Sequence, residues 1–129
     1  MLYRGSLVSL HDNSGALNLK ILNIKKKSFS GAYAKISDII VGVIKDYDIY
    51  KKKIKLKKKD RTTAIIVCTK KKYSKNNLIY IKFSENVCIP LKITRFIVPV
   101  ASYIYSPIFY EMRYLKRFKV VFKIAGIAY

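Results

Sequence analysis

Short apolar stretches, separated by residues that favour turns, make up most of the chain. Leu2–Leu10 alternates loosely between apolar and polar residues, and Leu17–Ile24 repeats that pattern after the turn-forming run HDNSG. Ile36–Lys45 and Thr62–Thr69 are short and rich in β-branched residues, which favours buried strands over helices. These four segments predict a chain built mainly from strands with tight connections.

The pattern continues with shorter strands and with one proline that limits their arrangement. Leu78–Phe83 and Val87–Ile93 predict strands, whereas the run KKKYSKNN before the first of them predicts a turn, and Ser28–Ser37 around Gly31 predicts a loop. Pro90 cannot donate a backbone hydrogen bond, so we expect it at an edge or a bulge. Five or six short strands within about 90 residues indicate a small closed barrel.

The most basic segment is Lys51–Arg61, with the sequence KKKIKLKKKDR. Ile54 and Leu56 are two positions apart, so both can lie on one face of an extended ribbon while the lysines beside them point to the other face. We therefore expect a basic β-ribbon that projects from the barrel.

The periodicity changes after Pro99. Phe109–Phe118 carries aromatic residues at every fourth position, which predicts a helix, and Lys119–Ala125 fits either a second short helix or a final strand. We expect one domain over 1–129, with the barrel in about 1–100 and a helical extension in about 101–129.

The charge of the chain points to a polyanionic partner. Twenty-seven Lys and Arg residues against seven Asp and Glu residues give a formal net charge of +20, and a body this basic repels itself. Nucleic acid is favoured because each neutralised phosphate releases a condensed counterion. A membrane surface would require a wide apolar helix face opposite the lysines, which the main lysine run lacks, so we expect no membrane partner. AT-rich codons can explain the preference for Lys over Arg, but they do not explain the scarcity of acidic residues.

Groups for catalysis or metal binding are scarce. Cys68 and Cys88 lack CxxC spacing and lie in apolar runs, so we expect buried free thiols. His11 is the single histidine, which excludes His-pair metal motifs, and neither a Gly-rich phosphate loop nor suitably paired carboxylates are present. We therefore expect neither an enzyme nor a cofactor or a metal.

Targeting and membrane-spanning patterns are also weak. The first ten residues lack the apolar core of a signal peptide and the Arg-rich, Ser-rich character of a transit peptide. The longest uncharged stretch, Phe96–Tyr110, is too short to span a bilayer and is interrupted by Pro99 and Pro107. We expect the chain to act where it is made.

Basic residues at strand ends and in the ribbon are the candidate RNA contacts, since long cationic side chains can clamp phosphates without distinguishing bases. They are Lys25, Lys26, Lys27, Lys51, Lys52, Lys53, Lys55, Lys57, Lys58, Lys59, Arg61, Lys70, Lys71 and Lys72. Arg95 has a planar guanidinium suited to bidentate recognition of a phosphate or carboxylate. Asp12, Asn13, Ser14 and Gly15 fit a structural turn in which polar side chains bond their own backbone.

The order of several short motifs resembles the universal large ribosomal subunit protein fourteen family. Asp12-Asn13-Ser14-Gly15-Ala16 follows the first strand near the N-terminus. The further matches, in chain order, are Asp38-Ile39-Ile40 with Lys45, Ala64-Ile65-Ile66-Val67 with Thr69-Lys70-Lys71, Ile81-Lys82-Phe83 with Asn86 and Cys88, Thr94-Arg95 with Pro99-Val100, and Glu111-Met112-Arg113 leading to Ile124-Ala125. The resemblance extends in register over nearly the whole chain.

Several positions depart from the pattern of that family. Ser37, Ile93 and Val98 stand where the family usually has glycine, which predicts reshaped turns. Cys68 and Leu17 replace arginines that are expected to contact RNA. An apparent insertion near 102–110 is too apolar to remain in water, so we expect it to pack on a neighbour.

The resemblance implies a closed five-stranded meander barrel with a projecting basic ribbon and short C-terminal helices. It also implies a structural constituent of the large ribosomal subunit that binds large-subunit rRNA beside neighbouring ribosomal proteins. It also implies a surface that faces small-subunit rRNA at an intersubunit bridge and receives a ribosome-silencing factor, with Thr94, Arg95 and Arg113 as candidate contacts. The alternative from the residues alone is a free-standing barrel that binds single-stranded nucleic acid.

The departures and the absent targeting segment suggest a gene retained in an organelle. We expect a mitochondrial matrix ribosome, with a plastid or the cytoplasm of an AT-rich bacterium as alternatives.

Overall fold

Eight strands and two short helices form the part of the chain that the computed structural model describes, namely residues 2–27, 31–50, 56–76, 78–114, 119–124 and 126. The strands are β1 (Leu7–Leu10), β2 (Ala16–Ile24), β3 (Ile39–Tyr47), β4 (Arg61–Cys68), β5 (Tyr73–Asn76), β6 (Ile79–Ile81), β7 (Val87–Ile93) and β8 (Ile97–Pro99). A 3₁₀ helix spans Tyr110–Tyr114, and α1 spans Lys119–Ile124.

Five of the strands close into a barrel. The hydrogen-bonded order is β1-β2-β3-β4-β7, and β7 also pairs with β1, with Ser9 opposite Val87 and Leu10 opposite Cys88. This last pairing is parallel, whereas the other neighbours are antiparallel, and β8 adds to the free part of β7. The prediction of a mainly β chain with a closed five-stranded barrel is confirmed.

Apolar side chains occupy two cores, one on each face of the β4–β7 pair. Ala64 and Ile66 of β4 belong to the cluster that includes buried residues from β1, β2 and β3. Ile65 and Val67, which alternate with them, belong to a second cluster with residues of the C-terminal segment. Because both faces of β4 are covered, its sequence is continuously apolar rather than alternating.

Pro90 lies in an interior strand, whereas the sequence predicted an edge or a bulge. It stands opposite Ala64 of β4, between the part of β7 that pairs with β1 and the part that pairs with β8. Its carbonyl accepts a hydrogen bond from Val100 N at 3.1 Å, on the side away from β4. The N–H and C=O of an extended residue point to the same side of the strand, so the N–H that Pro90 lacks would also have pointed away from β4. The hydrogen bonds between β7 and β4 are therefore unaffected, and the missing donor falls where β7 changes from β1 to β8 as its neighbour.

A second, two-stranded sheet replaces the turn predicted at KKKYSKNN. Tyr73–Asn76 pairs with Ile79–Ile81, and the Tyr73 ring packs at 5.8 Å from the ring of Phe109. The Tyr73 hydroxyl accepts a hydrogen bond from Ile36 N at 3.1 Å. The turn prediction was therefore wrong from Tyr73 onward, because tertiary contacts of this tyrosine draw the segment into a strand.

The segment Lys51–Arg61, for which the sequence predicted a basic ribbon, connects β3 to β4 in the chain. Lys51, Lys52, Lys53, Ile54 and Lys55 lie outside the described residues. The described end is a turn in which Lys57 N donates to Asp60 Oδ2 at 2.9 Å and Lys59 takes a positive φ of 68°. Lys59 N then bonds Ile44 O at 2.8 Å, which leads the chain into β4.

The C-terminal segment packs on the barrel of its own chain. Ile104 and Ile108 are fully buried in the second cluster, so these side chains pack on their own barrel, whereas the sequence had predicted that the insertion packs on a neighbour. Tyr103 and Tyr105 remain about half exposed, with their ring centroids 5.2 Å apart. The predicted helix over 109–118 is a 3₁₀ helix at Tyr110–Tyr114 with 115–118 outside the described residues, and Lys119–Ile124 is helical rather than a strand.

The HDNSG turn fastens this segment to the barrel. Asp12 Oδ1 accepts hydrogen bonds from Ser14 N at 3.1 Å and Ser14 Oγ at 2.6 Å, and Gly15 follows with a φ of 94°. Asn13 Nδ2 donates to Ser102 Oγ at 2.6 Å, and Asn13 Oδ1 accepts from Ser102 N at 3.0 Å. The turn thus connects β1 to β2 and also holds the start of the insertion.

Both cysteines are free and buried, as predicted. Burial raises the pKa of the Cys68 thiol to about 12, although a hydrogen bond with Ser106 lowers it in part. Burial also raises the pKa of the Cys88 thiol, and the nearby Asp12 carboxylate adds to that effect. Cys68 Sγ donates to Pro107 O at 2.8 Å, so this residue contacts the inserted segment, whereas the resemblance in sequence implied an RNA-contacting arginine at this position.

Gly42 of β3 lies close against β2 in the barrel. A Cβ at this position would lie 2.6 Å from Lys20 O and would overlap the Leu19 side chain. We expect Gly42→Ala to lower the free energy of unfolding by about 2–3 kcal/mol, because the backbone of β2 would have to move. Urea unfolding of the purified variant measures this change.

Gly126→Ala is the control, since its added Cβ would meet only the hydroxyl end of Tyr103 at 3.2 Å. Equal stability changes in the two variants would contradict the close approach of β2 and β3.

Ser37 adopts a left-handed backbone, with a φ of 73°, at a position where the resemblance in sequence implied glycine. Its N–H donates to Ile66 O at 2.8 Å, so the turn keeps this conformation although a side chain strains it. We expect Ser37→Gly to raise the free energy of unfolding by about 0.5–1 kcal/mol, after the flexibility of glycine in the unfolded chain is counted.

Ser84→Gly is the matched control, because Ser84 has an ordinary backbone and glycine there is expected to destabilise. A loss of stability in both variants, measured by urea unfolding, would disprove strain at Ser37.

Candidate nucleic-acid interface

The turn between β2 and β3 presents three consecutive lysines, of which two are free to reach outward. Lys25 and Lys26 are exposed, and Lys26 takes a positive φ of 66° in the turn. Lys27 is half-buried, because its Nζ lies 2.6 Å from Asp38 Oδ2 and donates to Tyr33 O at 3.1 Å. Lys27 therefore anchors the following loop, whereas Lys25 and Lys26 are available to an external anion.

A groove of about 500 Å³ joins this turn to the β7–β8 hairpin. Its lining residues come from three separate segments of the chain: Lys25, Lys26, Lys27, Ser37, Asp38, Ile39, Ile93 and Ile97. The lining combines three lysines with three isoleucines. Such a surface suits a polyanion that also contributes apolar sugar or base faces.

A second groove, of about 440 Å³, is also lined by residues of this hairpin and shares Ile93 with the first. It is lined by Leu56, Arg61, Thr62, Thr63, Leu91, Lys92, Ile93 and Val100. Arg61 is a predicted contact, whereas Lys92 was missed by the sequence analysis. Alternation in β7 could have identified it, since Leu91 is buried and Lys92, the next residue, is exposed.

The tip of the β7–β8 hairpin carries Thr94 and Arg95, both exposed. Thr94 N donates to Phe96 O at 3.1 Å, which closes the tip, and the Phe96 side chain is 76% exposed. Ile93 and Val98, which replace family glycines, are also exposed, at 42% and 44%. The tip therefore combines one guanidinium with a larger apolar surface than sequence motifs alone suggested.

The remaining predicted contacts are distributed over other parts of the surface. Lys57, Lys58 and Lys59 are exposed in the turn before β4, and Lys70, Lys71 and Lys72 are exposed between β4 and β5. Lys70 N donates to Asn86 Oδ1 at 2.9 Å, and the Lys72 ammonium lies 4.3 Å from the centre of the Tyr80 ring. Arg113 lies in the 3₁₀ helix, but its side chain is outside the described part.

Few acidic groups offset these cations. Within the described residues, Lys27 forms an ion pair with Asp38, and Glu85 Oε2 lies 3.0 Å from His11 Nε2. Most exposed basic side chains there thus lack a carboxylate partner. The surface is suited to bind a polyanion by charge, with little capacity to distinguish one sequence from another.

Other site types find no support in the same residues. The described residues contain no group of three or more His, Cys, Asp or Glu that could hold a metal ion. Among them, too, no helix has the length and apolar character needed to cross a membrane.

A small closed barrel with an uncompensated basic surface defines a class of nucleic-acid-associated structural proteins, and comparison with known proteins identifies the family. The model of the family "Ribosomal protein L14p/L23e" matches residues 1–128. The chain is also similar to "Large ribosomal subunit protein uL14c" of Helicosporidium sp. subsp. Simulium jonesii, at 30% identity over 111 residues that cover 86% of each chain.

The chain belongs to the ribosomal protein L14p/L23e family, as a divergent member. It is accordingly a structural, non-enzymatic component of the large ribosomal subunit, which confirms the resemblance found in the sequence.

Proposed function

We propose that this protein binds large-subunit rRNA through the basic rims of the two grooves and through the lysines between β3 and β4. The observation that carries the proposal is the convergence of Lys25, Lys26, Arg61 and Lys92 on grooves that flank one hairpin. Three separate segments supply these cations, so the folded chain, and no single basic run, forms the surface.

Charge balance supports an RNA partner that stays bound. The chain carries a net charge of +20, and the described carboxylates neutralise few of its lysines. Repulsion among these cations opposes folding of the free protein, while counterion release favours its association with RNA. We infer that the protein is most stable within the assembled subunit.

The β7–β8 hairpin tip is proposed as the contact with small-subunit rRNA at an intersubunit bridge. Arg95 supplies a planar donor for a phosphate, and the exposed Phe96 ring lies beside it. The same tip, with its apolar Ile93 and Val98, offers a surface for a ribosome-silencing factor. Arg113 is kept as a further candidate on the basis of the family resemblance.

Neighbouring ribosomal proteins are proposed as the partners of the exposed part of the insertion. Tyr103 and Tyr105 are 48% and 60% exposed and pack against each other, so they present a continuous aromatic surface. Burial of such a surface is favourable in an assembled particle.

An organelle ribosome is the proposed location. The relative is of the plastid type, which is compatible with an organelle but gives no specific support to the mitochondrion that the sequence favoured. Sedimentation of the native protein from separated plastid and mitochondrial lysates, with mass spectrometry of the cosedimenting proteins, distinguishes the two compartments. Recovery in a free, slowly sedimenting fraction would favour the single-strand binder instead.

The lysines between β3 and β4 are expected to contribute through charge alone. Replacing Lys57, Lys58 and Lys59 together by Gln should weaken rRNA binding and flatten its dependence on log salt concentration by about 2 to 3, since each phosphate contact contributes roughly 0.9. Filter binding to large-subunit rRNA over a salt series measures both effects.

A matched control replaces Lys20, Lys45 and Lys123, which are exposed and outside the proposed contacts, by Gln. If both triple variants change the salt dependence equally, the segment before β4 is not a specific contact.

Arg95 is expected to act in subunit joining rather than in assembly. Arg95→Ala should enter large subunits normally yet weaken their association with small subunits by about 5- to 10-fold, because one charge-assisted contact is lost. Sucrose-gradient profiles of purified subunits mixed at several magnesium concentrations report this association. Reduced incorporation into the large subunit by the same factor would contradict the bridge role.

A further inference from the structure

The exposed part of the insertion forms an aromatic patch on the outside of the barrel. Tyr103 and Tyr105 are 48% and 60% exposed, and Ile104 between them is buried, as alternation in an extended segment requires. The two ring centroids lie 5.2 Å apart with an interplanar angle of 57°, so the rings meet at an angle and do not stack on each other. Each ring therefore keeps surface that a partner from outside can cover.

Residues after β1 and before β7 hold this patch in place. Tyr105 N donates to His11 O at 2.8 Å, and Tyr103 N donates to Asn13 Oδ1 at 3.3 Å. His11 Nε2 lies 3.0 Å from Glu85 Oε2, which brings the turn before β7 to the same surface. We call Tyr103, Tyr105, His11 and Glu85 the tyrosine patch.

The tyrosine patch differs in charge from the grooves. The chain has seven acidic residues against 27 basic ones, and one of the seven, Glu85, lies here with 54% of its side chain exposed. No described lysine or arginine forms an ion pair or a ring contact with the residues of the patch. A phosphate would therefore meet a carboxylate here without the cationic contacts that the grooves supply, which disfavours RNA as the partner.

A recess of about 60 Å³ extends the patch next to Tyr105. His11 and Glu85 line it, together with Ser106, which follows Tyr105 in the chain. Such a volume holds a few water molecules or the compact head of one side chain, whereas a nucleobase is larger. The planar guanidinium of an arginine suits this place, because it can donate hydrogen bonds to the Glu85 carboxylate and stack on an aromatic ring.

We propose that the tyrosine patch binds an arginine of a neighbouring ribosomal protein, with the guanidinium stacked on Tyr105 and hydrogen-bonded to Glu85. The site rests on the proposed function, which puts such neighbours beside this protein, and it deepens that function by naming the chemistry of the partner. Tyrosine and arginine are both enriched among the residues that contribute most to protein interfaces. The grooves then serve RNA, whereas this patch serves a basic segment of a protein.

The first test identifies the neighbour in large subunits assembled with the full-length protein. Tyr105 is replaced by p-benzoylphenylalanine, which keeps an aromatic ring and forms a covalent bond to nearby atoms under near-ultraviolet light. Mass spectrometry should show attachment to another ribosomal protein, with an arginine within about three residues of the attachment site, since an extended chain advances roughly 3.3 Å per residue. The same replacement at Tyr50, which is 89% exposed, is the control and should not attach to that segment.

Four results of this cross-linking would overturn the proposal. They are attachment of the Tyr105 probe to rRNA, attachment to a second copy of this chain, no attachment to any neighbour, and attachment of both probes to the same segment.

The second test measures how fast labelled protein leaves purified large subunits. Glu85→Gln should raise the dissociation rate by about 5-fold or more, because a charge-assisted contact is lost. His11→Gln is the matched control, since it removes the imidazole beside Glu85 but leaves the carboxylate available to the partner. It should change the rate by less than about twofold, because an exposed pair of this kind contributes little to stability.

The tyrosines are tested with a pair of double variants. Tyr103→Leu with Tyr105→Leu should raise the dissociation rate by about 5-fold or more, whereas Tyr103→Phe with Tyr105→Phe keeps both rings and should match the unmodified protein. Filter binding to purified large-subunit rRNA should stay within about twofold for every variant, because the patch supplies no phosphate contact. The comparison of Glu85→Gln with His11→Gln decides the proposal even if the double leucine variant does not fold.

Equal dissociation rates of Glu85→Gln and His11→Gln would contradict the patch, as would equal rates of the leucine and phenylalanine variants in folded protein. If the unmodified protein fails to bind large-subunit rRNA, the proposed function itself is wrong. Normal rRNA binding together with either equality removes only the tyrosine patch.

Discussion

Burial of β4 and β7 on both faces is the constraint on which the rest of the structure depends. Ala64 and Ile66 fill the barrel, while Ile65 and Val67 require an outer cover, and residues from Ile104 onward supply it. Because β7 pairs with β4, β1 and β8, loss of its outer cover would expose the strand that closes the barrel. The described C-terminal residues are thus part of the core, while the exposed Tyr103 and Tyr105 are left for partners.

The sequence predicted those strands and turns that have a clear local pattern of apolar or turn-forming residues. Short β-branched runs identified β3, β4 and β7. The turn-forming residues from Asp12 to Gly15 correctly predicted the position of the turn between β1 and β2. It could not predict β5, because Tyr73 is held by Ile36 and Phe109, both distant in sequence. The sequence also missed the interior position of Pro90. The change in the neighbour of β7 from β1 to β8 depends on distant segments and leaves no pattern in the local sequence.

The candidate site was predictable in charge but not in arrangement. Lysine runs indicated a polyanion, yet composition could not show that Lys27 is committed to Asp38 or that Lys92 lines a groove. Tyr33 and Lys35 lie in a predicted loop with no periodic pattern. Their contact with Lys71 could not be predicted, because only the fold brings Lys35 and Lys71 to the same Tyr33 ring. At Cys68 the sequence predicted an RNA contact that the fold does not provide. The inserted segment covers this position, where Cys68 Sγ donates a hydrogen bond to Pro107 O.

The parallel pairing of β1 with β7 determines when this chain can complete its fold during synthesis. The first strand leaves the ribosome early, but its partner begins only at Val87, so the sheet stays open until most of the chain has been made. At typical rates of roughly 5–20 residues per second, that delay lasts several seconds, during which the inner faces of β2, β3 and β4 lack their final neighbour. The lysines between β3 and β4 emerge in the same interval, so electrostatic capture of RNA can precede barrel closure and shield the nascent chain from aggregation.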